Sequence, residues 1–286
     1  NSLGQKTQMD DPDMGLWSYT YDATGNLATQ TDAKGQTLTF GYDDLNRPTG
    51  KTYSDGTPPV SYSYDAGQFG KGRRTGMSDE SGSVAWVYDA LGRVLTETQT
   101  ITGADTYTTS YTYDRLDRVQ TMTYPDGEVV TYGYNDQNLV NSLTSSLGDT
   151  YLSSASYNSL DQPTLMNLGN GVSTVYGYYD PAATPGQADF RLRTLQATGP
   201  GSVMLQGLSY QYDDGGNVTD LDDIVADVTW SYDYDAFDRL TQANRLVGGG
   251  EFGNDTFTYD YDRLHNLTDY FDPLILAQSV TMGYPN

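Results

Sequence analysis

Short runs in which polar and apolar side chains alternate recur along this chain, as in Thr37-Leu38-Thr39-Phe40-Gly41-Tyr42 and Thr108-Thr109-Ser110-Tyr111-Thr112-Tyr113. Period-two alternation rich in Thr, Val and Tyr places every second side chain on one face of a β-strand. Each run ends on a tyrosine. Two positions earlier stands a second aromatic, namely Tyr19, Phe40, Tyr62, Trp86, Tyr111, Tyr132, Tyr176, Tyr210, Tyr232 or Tyr259, with Ala155 and Met282 as the exceptions. Each strand therefore offers an aromatic pair to one face, and strands about 4.8 Å apart would stack these rings into ladders that form the core.

The closing tyrosines are Tyr21, Tyr42, Tyr64, Tyr88, Tyr113, Tyr134, Tyr157, Tyr178, Tyr212, Tyr234, Tyr261 and Tyr284, mostly 21 to 25 residues apart, with steps of 27 and 34 near the end. Self-similarity at such a period marks a repeat array in which each unit stacks on its neighbours. After the tyrosine comes Asp22, Asp43, Asp65, Asp89, Asp114, Asp180, Asp213, Asp235 or Asp262, with Asn135 and Asn158 in two copies. An amide does the same work as a carboxylate there, so the shared property is a side-chain oxygen that accepts a backbone N–H in an Asx-turn. Four residues after the tyrosine stand Gly25, Asn46, Gly92, Asp117, Asn138, Asp161, Gly216, Asp238 and His265, the residue types that tolerate positive φ. An apolar residue such as Leu27, Val94, Val119, Val140, Val218, Leu240 or Leu267 then restarts a strand.

Looser turns close the other end of each hairpin, at Asp32-Ala33-Lys34-Gly35, Asp55-Gly56, Asp79-Glu80-Ser81-Gly82 and Pro125-Asp126-Gly127. Two strands and two short turns fit one period. The predicted fold class is all-β: a β-hairpin array of about twelve repeats over residues 1–286, forming a coiled antiparallel sheet of on the order of two dozen strands, without visible caps. Extra residues after Tyr64 (Lys71-Gly72-Arg73-Arg74) and after Tyr178 (Pro181 to Arg193) predict a bulge or bend at those two places.

Charge narrows the partners. The formal net charge is −23, with Lys6, Lys34, Lys51 and Lys71 the only lysines, so a phosphate backbone is repelled and nucleic acid is excluded as a partner. No apolar run approaches the roughly 20 residues that span a bilayer, so no membrane insertion by this segment is expected. Cysteine is absent, which removes disulfide and thiolate-metal chemistry. The opening Asn1-Ser2-Leu3-Gly4-Gln5-Lys6-Thr7 nearly repeats Asn158-Ser159-Leu160-Asp161-Gln162-Pro163-Thr164, and Tyr284-Pro285-Asn286 begins another copy. Both ends therefore predict a segment of a longer polypeptide.

Candidate chemistry is sparse. The only histidine, His265, occupies the left-handed turn slot, so a Ser-His-Asp site or a multi-histidine metal site is not expected. Acids cluster at Asp10-Asp11-Asp13 and at Asp213-Asp214 with Asp220, Asp222 and Asp223. Paired carboxylates serve glycoside hydrolysis and hard oxygen ligands serve calcium. Neither cluster matches an EF-hand loop, and both read first as solvated turn residues, so the expectation is no enzyme and no cofactor, with calcium as the one candidate ion. The tyrosine-rich surface with nearby Asp and Asn also suits glycans, against the alternative of half-buried ring residues. Asn217-Val218-Thr219, Asn254-Asp255-Thr256 and Asn266-Leu267-Thr268 match the glycosylation triplet but read as turn chemistry.

The unit Tyr-Asp-x-x-Gly-Arg/Asn-Val/Leu, as in Tyr88 to Val94, Tyr21 to Leu27 and Tyr234 to Leu240, resembles the YD repeat of the RHS-repeat family. Asp10-Asp11-Pro12-Asp13-Met14-Gly15-Leu16-Trp17 before Tyr19-Thr20-Tyr21-Asp22 also resembles stretches of large secreted bacterial YD-repeat proteins of the toxin-complex and SpvB-like type. The resemblance implies a sheet strip spiralling into a hollow shell. In bacterial toxin relatives such a shell encloses a C-terminal cargo, and in the animal teneurins a similar barrel serves adhesion. It further implies a secreted or cell-surface protein whose partners are the rest of the same polypeptide, a core domain and cargo, with adhesion or carbohydrate binding as the alternative role.

Overall fold

The computed structural model describes residues 1–180, 190–248, 255–273 and 279–281. Within them the chain is all-β apart from short 3-10 segments, one of them at Pro200–Ser202. The chain divides into two compact units, Asn1–Thr131 and Tyr132–Tyr284.

The first unit holds β1 (Gln8–Asp11), β2 (Gly15–Tyr21), β3 (Leu27–Thr31), β4 (Thr37–Tyr42), β5 (Pro48–Tyr53), β6 (Val60–Tyr64), β7 (Arg74–Asp79), β8 (Gly82–Tyr88), β9 (Val94–Ile101), β10 (Thr106–Tyr113), β11 (Val119–Thr123) and the start of β12 (Val129–Tyr134). Each strand pairs antiparallel with the next. The second unit continues from β13 (Val140–Ser145) and β14 (Thr150–Tyr157) through β15 (Pro163–Leu168), β16 (Ser173–Tyr178), β17 (Leu192–Thr198), β18 (Met204–Tyr212), β19 (Val218–Asp223), β20 (Val228–Tyr234), β21 (Leu240–Val247), β22 (Asp255–Tyr261) and β23 (Leu267–Phe271) to β24 (Ser279–Thr281), again pairing in chain order. The meander of hairpins follows the alternation in the sequence. Even-numbered strands through β22 end on the repeated tyrosine. Tyr284 lies outside the described residues.

The aromatic face differs from the expected ladder. Aromatic pairs occupy only every second strand, so rings of successive repeats stand about two strand spacings, roughly 9.6 Å, apart and cannot stack directly. The strand between mostly supplies a non-aromatic side chain, although Tyr259 faces Tyr270. Tyr62 pairs with Met77, Phe40 with Lys51, Tyr111 with Met122, and Trp86 with Glu97, whose carboxylate accepts the indole N–H at 2.8 Å. Ring contacts between strands are local exceptions, such as Trp230 with Phe257 at 5.6 Å.

This face is the better covered one, yet it is not a closed core. In β2 and β8, residues of the aromatic face are half-buried and those between them exposed. Among the described residues the buried side chains are Val130, Leu152, Ala155, Tyr179, Ala197, Ala243 and Thr75, and no large side chain is fully buried.

The extra residues after Tyr64 fold into a loop rather than disturbing the pairing. Gly72 N–H donates to the Asp65 carboxylate at 2.6 Å, Ala66 N–H to Thr75 Oγ1 at 3.3 Å, and Tyr64 pairs with Arg74 across the closed loop. Tyr178 likewise pairs with Leu192. Of the second insertion, residues 181–189 lie outside the described residues.

Candidate functional site

The Tyr-Asp turn is built by its own side chains. In the turn after Tyr88, Asp89 Oδ1 accepts the N–H groups of Leu91 at 2.9 Å and Arg93 at 3.0 Å, while the Asp89 carbonyl accepts Gly92 N–H at 3.0 Å. The same two side-chain bonds recur at Asp22, Asp43, Asp114, Asp235 and Asp262, and at Asn135 and Asn158, where an amide oxygen replaces the carboxylate. At Asp213 the acceptor serves Gly216 and Asn217. All nine residues expected to be left-handed have positive φ, from 59° at Asn46 and Asp238 to 100° at Gly216, with His265 at 69°. A type I turn followed by such a residue closes a hairpin with a bulge.

The tyrosines carry a second function that sequence reasoning missed. Where a tyrosine strand lies against the preceding repeat, their backbone pairing stops before the Tyr-Asp end. Between β9 and β10, for example, the last pair is Ser110 with Thr96. The Tyr113 hydroxyl reaches across the gap and donates to the Val94 carbonyl at 2.7 Å. The same stitch joins Tyr21 to Lys6, Tyr42 to Leu27, Tyr64 to Pro48, Tyr88 to Arg74, Tyr157 to Val140, Tyr178 to Pro163, Tyr212 to Leu192, Tyr234 to Val218 and Tyr261 to Leu240, at 2.5 to 3.0 Å. Tyr134 has partners of its own. Burial pushes the Tyr42, Tyr113, Tyr178, Tyr212 and Tyr234 hydroxyls above the usual phenol range. They remain donors at neutral pH.

The residue five positions after the tyrosine completes the link. Arg47 pairs with Asp43 at 2.7 Å in its own turn and with Asp65 of the next repeat at 2.6 Å, and its guanidinium lies 4.3 Å from the Tyr64 ring centre. Arg93 binds Asp89 and Asp117, both at 2.5 Å, and sits 4.5 Å from the Tyr113 ring. Arg239 binds Asp235 at 2.5 Å, donates to the Asp262 carbonyl at 3.2 Å and sits 4.6 Å from the Tyr261 ring. Arg118 pairs with Asp114 at 2.6 Å. Where this position is an amide, the bridge persists in smaller form. Asn26 donates to Asn46, Asn217 to Asp238, and Gln162 to the Phe190 carbonyl.

These contacts lower the carboxylate pKa values. At Asp43 the Arg47 N–H leads and the guanidinium adds to it, against partial desolvation. At Asp114 and Asp235 the side-chain bond from arginine leads. At Asp89 desolvation is the largest single influence and works upward, but the Arg93 N–H and guanidinium together outweigh it. Asp65, held by the Arg47 guanidinium and the Gly72 N–H, falls to about 2.

The other candidate groups are dispersed. Asp11 and Asp223 cap turns through N–H groups of Asp13 and Met14, and of Val225 and Ala226. Asp222 accepts from Ser209 at 3.0 Å and Thr229 at 2.9 Å. Among the described residues no three His, Cys, Asp or Glu side chains converge as a metal site. His265 packs edge-on against Phe237 at 5.3 Å. Asn217 and Asn266, from the glycosylation triplets, bond to Asp213 and Asp262 inside their turns, while Asn254 lies outside the described residues. No described helix is long and apolar enough to cross a membrane.

The family model for the RHS Repeat matches residues 1–37, 21–58 and 98–129. Among curated proteins none matches. Similar solved structures include a TcdB2-TccC3-Cdc42 complex (20% identity, TM-score 0.77, 98% of this chain) and TcdB2-TccC3 (21%, 0.76, 96%). A third is the Photorhabdus luminescens Tc holotoxin pore carrying TccC3-D651A (21%, 0.74, 94%). This chain spans only 15–16% of the length of those chains, and at such identity the likeness is one of fold. RHS repeats are thus matched over residues 1–58 and 98–129, the Tyr-Asp turn recurs in the same geometry beyond them, and the fold is that of the Tc-toxin chains named above.

Proposed function

We propose that this segment is a piece of wall: part of a secreted or surface RHS shell that encapsulates a C-terminal cargo or toxin domain of the same polypeptide. The observation that carries the reading is how the repeat motif spends its polar groups. The phenol bonds to the preceding repeat, the carboxylate folds the turn, and the guanidinium reaches the following repeat. Groups committed to joining neighbours are what an extended array requires, since its stability is a sum of repeat and nearest-neighbour contributions. The role is structural rather than enzymatic, and its partners are the core domain and cargo of the parent chain.

The test is cryo-electron microscopy of the full gene product, with limited proteolysis of any C-terminal domain. The expected result is a sheet around an enclosed volume, with the C-terminal domain cut only after the array is unfolded. An open sheet, or a C-terminal domain digested as fast in the intact protein as alone, contradicts the proposal.

A further inference from the structure

A cleft of about 290 Å³ opens on the aromatic face of β4 to β7, lined by Phe40, Pro48, Lys51, Tyr62, Tyr64 and Arg74. Its two cations differ from the ion-paired arginines of this chain, as do Arg73 and Arg193, which also lie against rings. Arg47, Arg93, Arg118, Arg239 and Arg245 are each ion-paired to an aspartate. Lys51 and Arg74 have no carboxylate partner among the described residues and instead lie against rings. Lys51 Nζ is 5.4 Å from the Tyr53 ring centre, and the Arg74 guanidinium is 5.6 Å from Tyr62 and 5.0 Å from Trp86. On a chain of net charge −23, two cations without acids in one cleft form a local positive site in a negative field. The Tyr62 hydroxyl makes no hydrogen bond to any described residue, unlike that of Tyr64, which is committed to Pro48.

We infer that this cleft binds a terminal acidic sugar, a pyranose carrying a single carboxylate. The rings of Phe40, Tyr62 and Tyr64 offer apolar surface to the sugar's C–H face. Lys51 and Arg74 take the carboxylate, the arginine through its planar fork. The Tyr62 hydroxyl serves a sugar hydroxyl. Size and charge select this ligand over others. The volume lies at the lower end of ligand pockets, about 300–1,000 Å³, so it takes one or two rings rather than an extended peptide. A polyanion carrying many charges is repelled by the surrounding acids, whereas one carboxylate at the end of a neutral glycan meets only the local cations. The site is independent of the wall reading, because Lys51, Tyr62 and Arg74 side chains take no part in the stitches between repeats.

The experiment is saturation-transfer NMR and titration calorimetry of the intact chain with sialyllactose, lactose and an N-acetylated Asp-Tyr dipeptide. Sialyllactose is expected to bind, with lactose at least about tenfold weaker. Lys51→Gln and Arg74→Gln should each weaken sialyllactose by about tenfold or more, while Lys51→Arg retains binding. Unfolding midpoints of all variants establish that they are folded. No transfer to sialyllactose, equal affinity for lactose, undiminished binding in both folded Gln variants, or stronger binding of the dipeptide overturns the inference.

Discussion

Removing one oxygen atom tests the stitch between repeats. Tyr113→Phe keeps the ring between β9 and β10 and keeps the Arg93 guanidinium beside it at 4.5 Å, but deletes the 2.7 Å bond to the Val94 carbonyl. That carbonyl lies past the last β9–β10 backbone pair, so no ladder bond replaces the phenol. A part-buried hydrogen bond of this kind contributes about 0.5–1.5 kcal/mol, and an unpaired acceptor moves the loss toward the upper end. Tyr113→Ala removes the ring as well. Full burial would put that cost at about 3–5 kcal/mol, and a half-buried ring reduces it to roughly 2 kcal/mol. The two variants should therefore differ by about 1 kcal/mol, which equilibrium urea unfolding followed by far-ultraviolet circular dichroism resolves. A Tyr113→Phe midpoint indistinguishable from wild type would refute the stitch. Equal losses in the two variants would show that the ring contributes nothing.

Further outcomes follow from the turn. Gly92, at φ 87°, should accept Asn far better than Val, because a β-branched residue resists positive φ; either side chain must also displace the Arg73 guanidinium, which an added Cβ would meet. Calorimetric midpoints rank the pair, and equal losses contradict the assignment. Because the Asp65 pKa is depressed to about 2, its contribution is full above the unfolded value near 4 and is lost as pH falls through about 2; Asp65→Asn should flatten that part of the acid unfolding curve, and an unchanged curve would be the contrary result. Raised tyrosine pKa values act at the other limit, so stability should fall as pH rises past the unfolded phenol value of about 10, monitored by tyrosinate absorbance alongside circular dichroism. Calcium or a chelator should leave the melting temperature unchanged, given that no described trio of acids converges; a calcium-dependent rise would point to a site elsewhere.

Local chemistry was legible in the sequence and contacts between repeats were not. The left-handed slots were readable because Gly25, Asn46, Asp117 and His265 share only a tolerance for positive φ, a property of the residue itself. The Asx-turn was readable because Asn135 and Asn158 replace aspartate without ending the pattern. The ring ladder failed because one aromatic pair per two-strand period sets the pairs about two strand spacings apart, a consequence of the repeat length that the ladder expectation left out. The stitch was hidden because its acceptor is a backbone carbonyl, which any residue supplies: Val94, Pro48 and Lys6 have nothing else in common. The arginine bridge left a signal that went unused. The fifth position after the tyrosine is Asn26, Arg47, Arg93, Arg118, Gln162, Asn217, Arg239 or Asn266, all side chains with N–H donors. Phe69, Leu139 and Ala183 are exceptions, and beside Leu139 it is Gln137 that makes the forward bond to Asn158.

The Tyr-Asp motif couples repeats rather than serving its own hairpin alone. Hydrogen-exchange mass spectrometry of Arg93→Met tests it most directly, because Arg93 holds Asp89 in one turn and Asp117 in the next. Faster exchange is expected in both turns, at residues 89–93 and at 114–118. Loss of protection confined to 89–93 would contradict it.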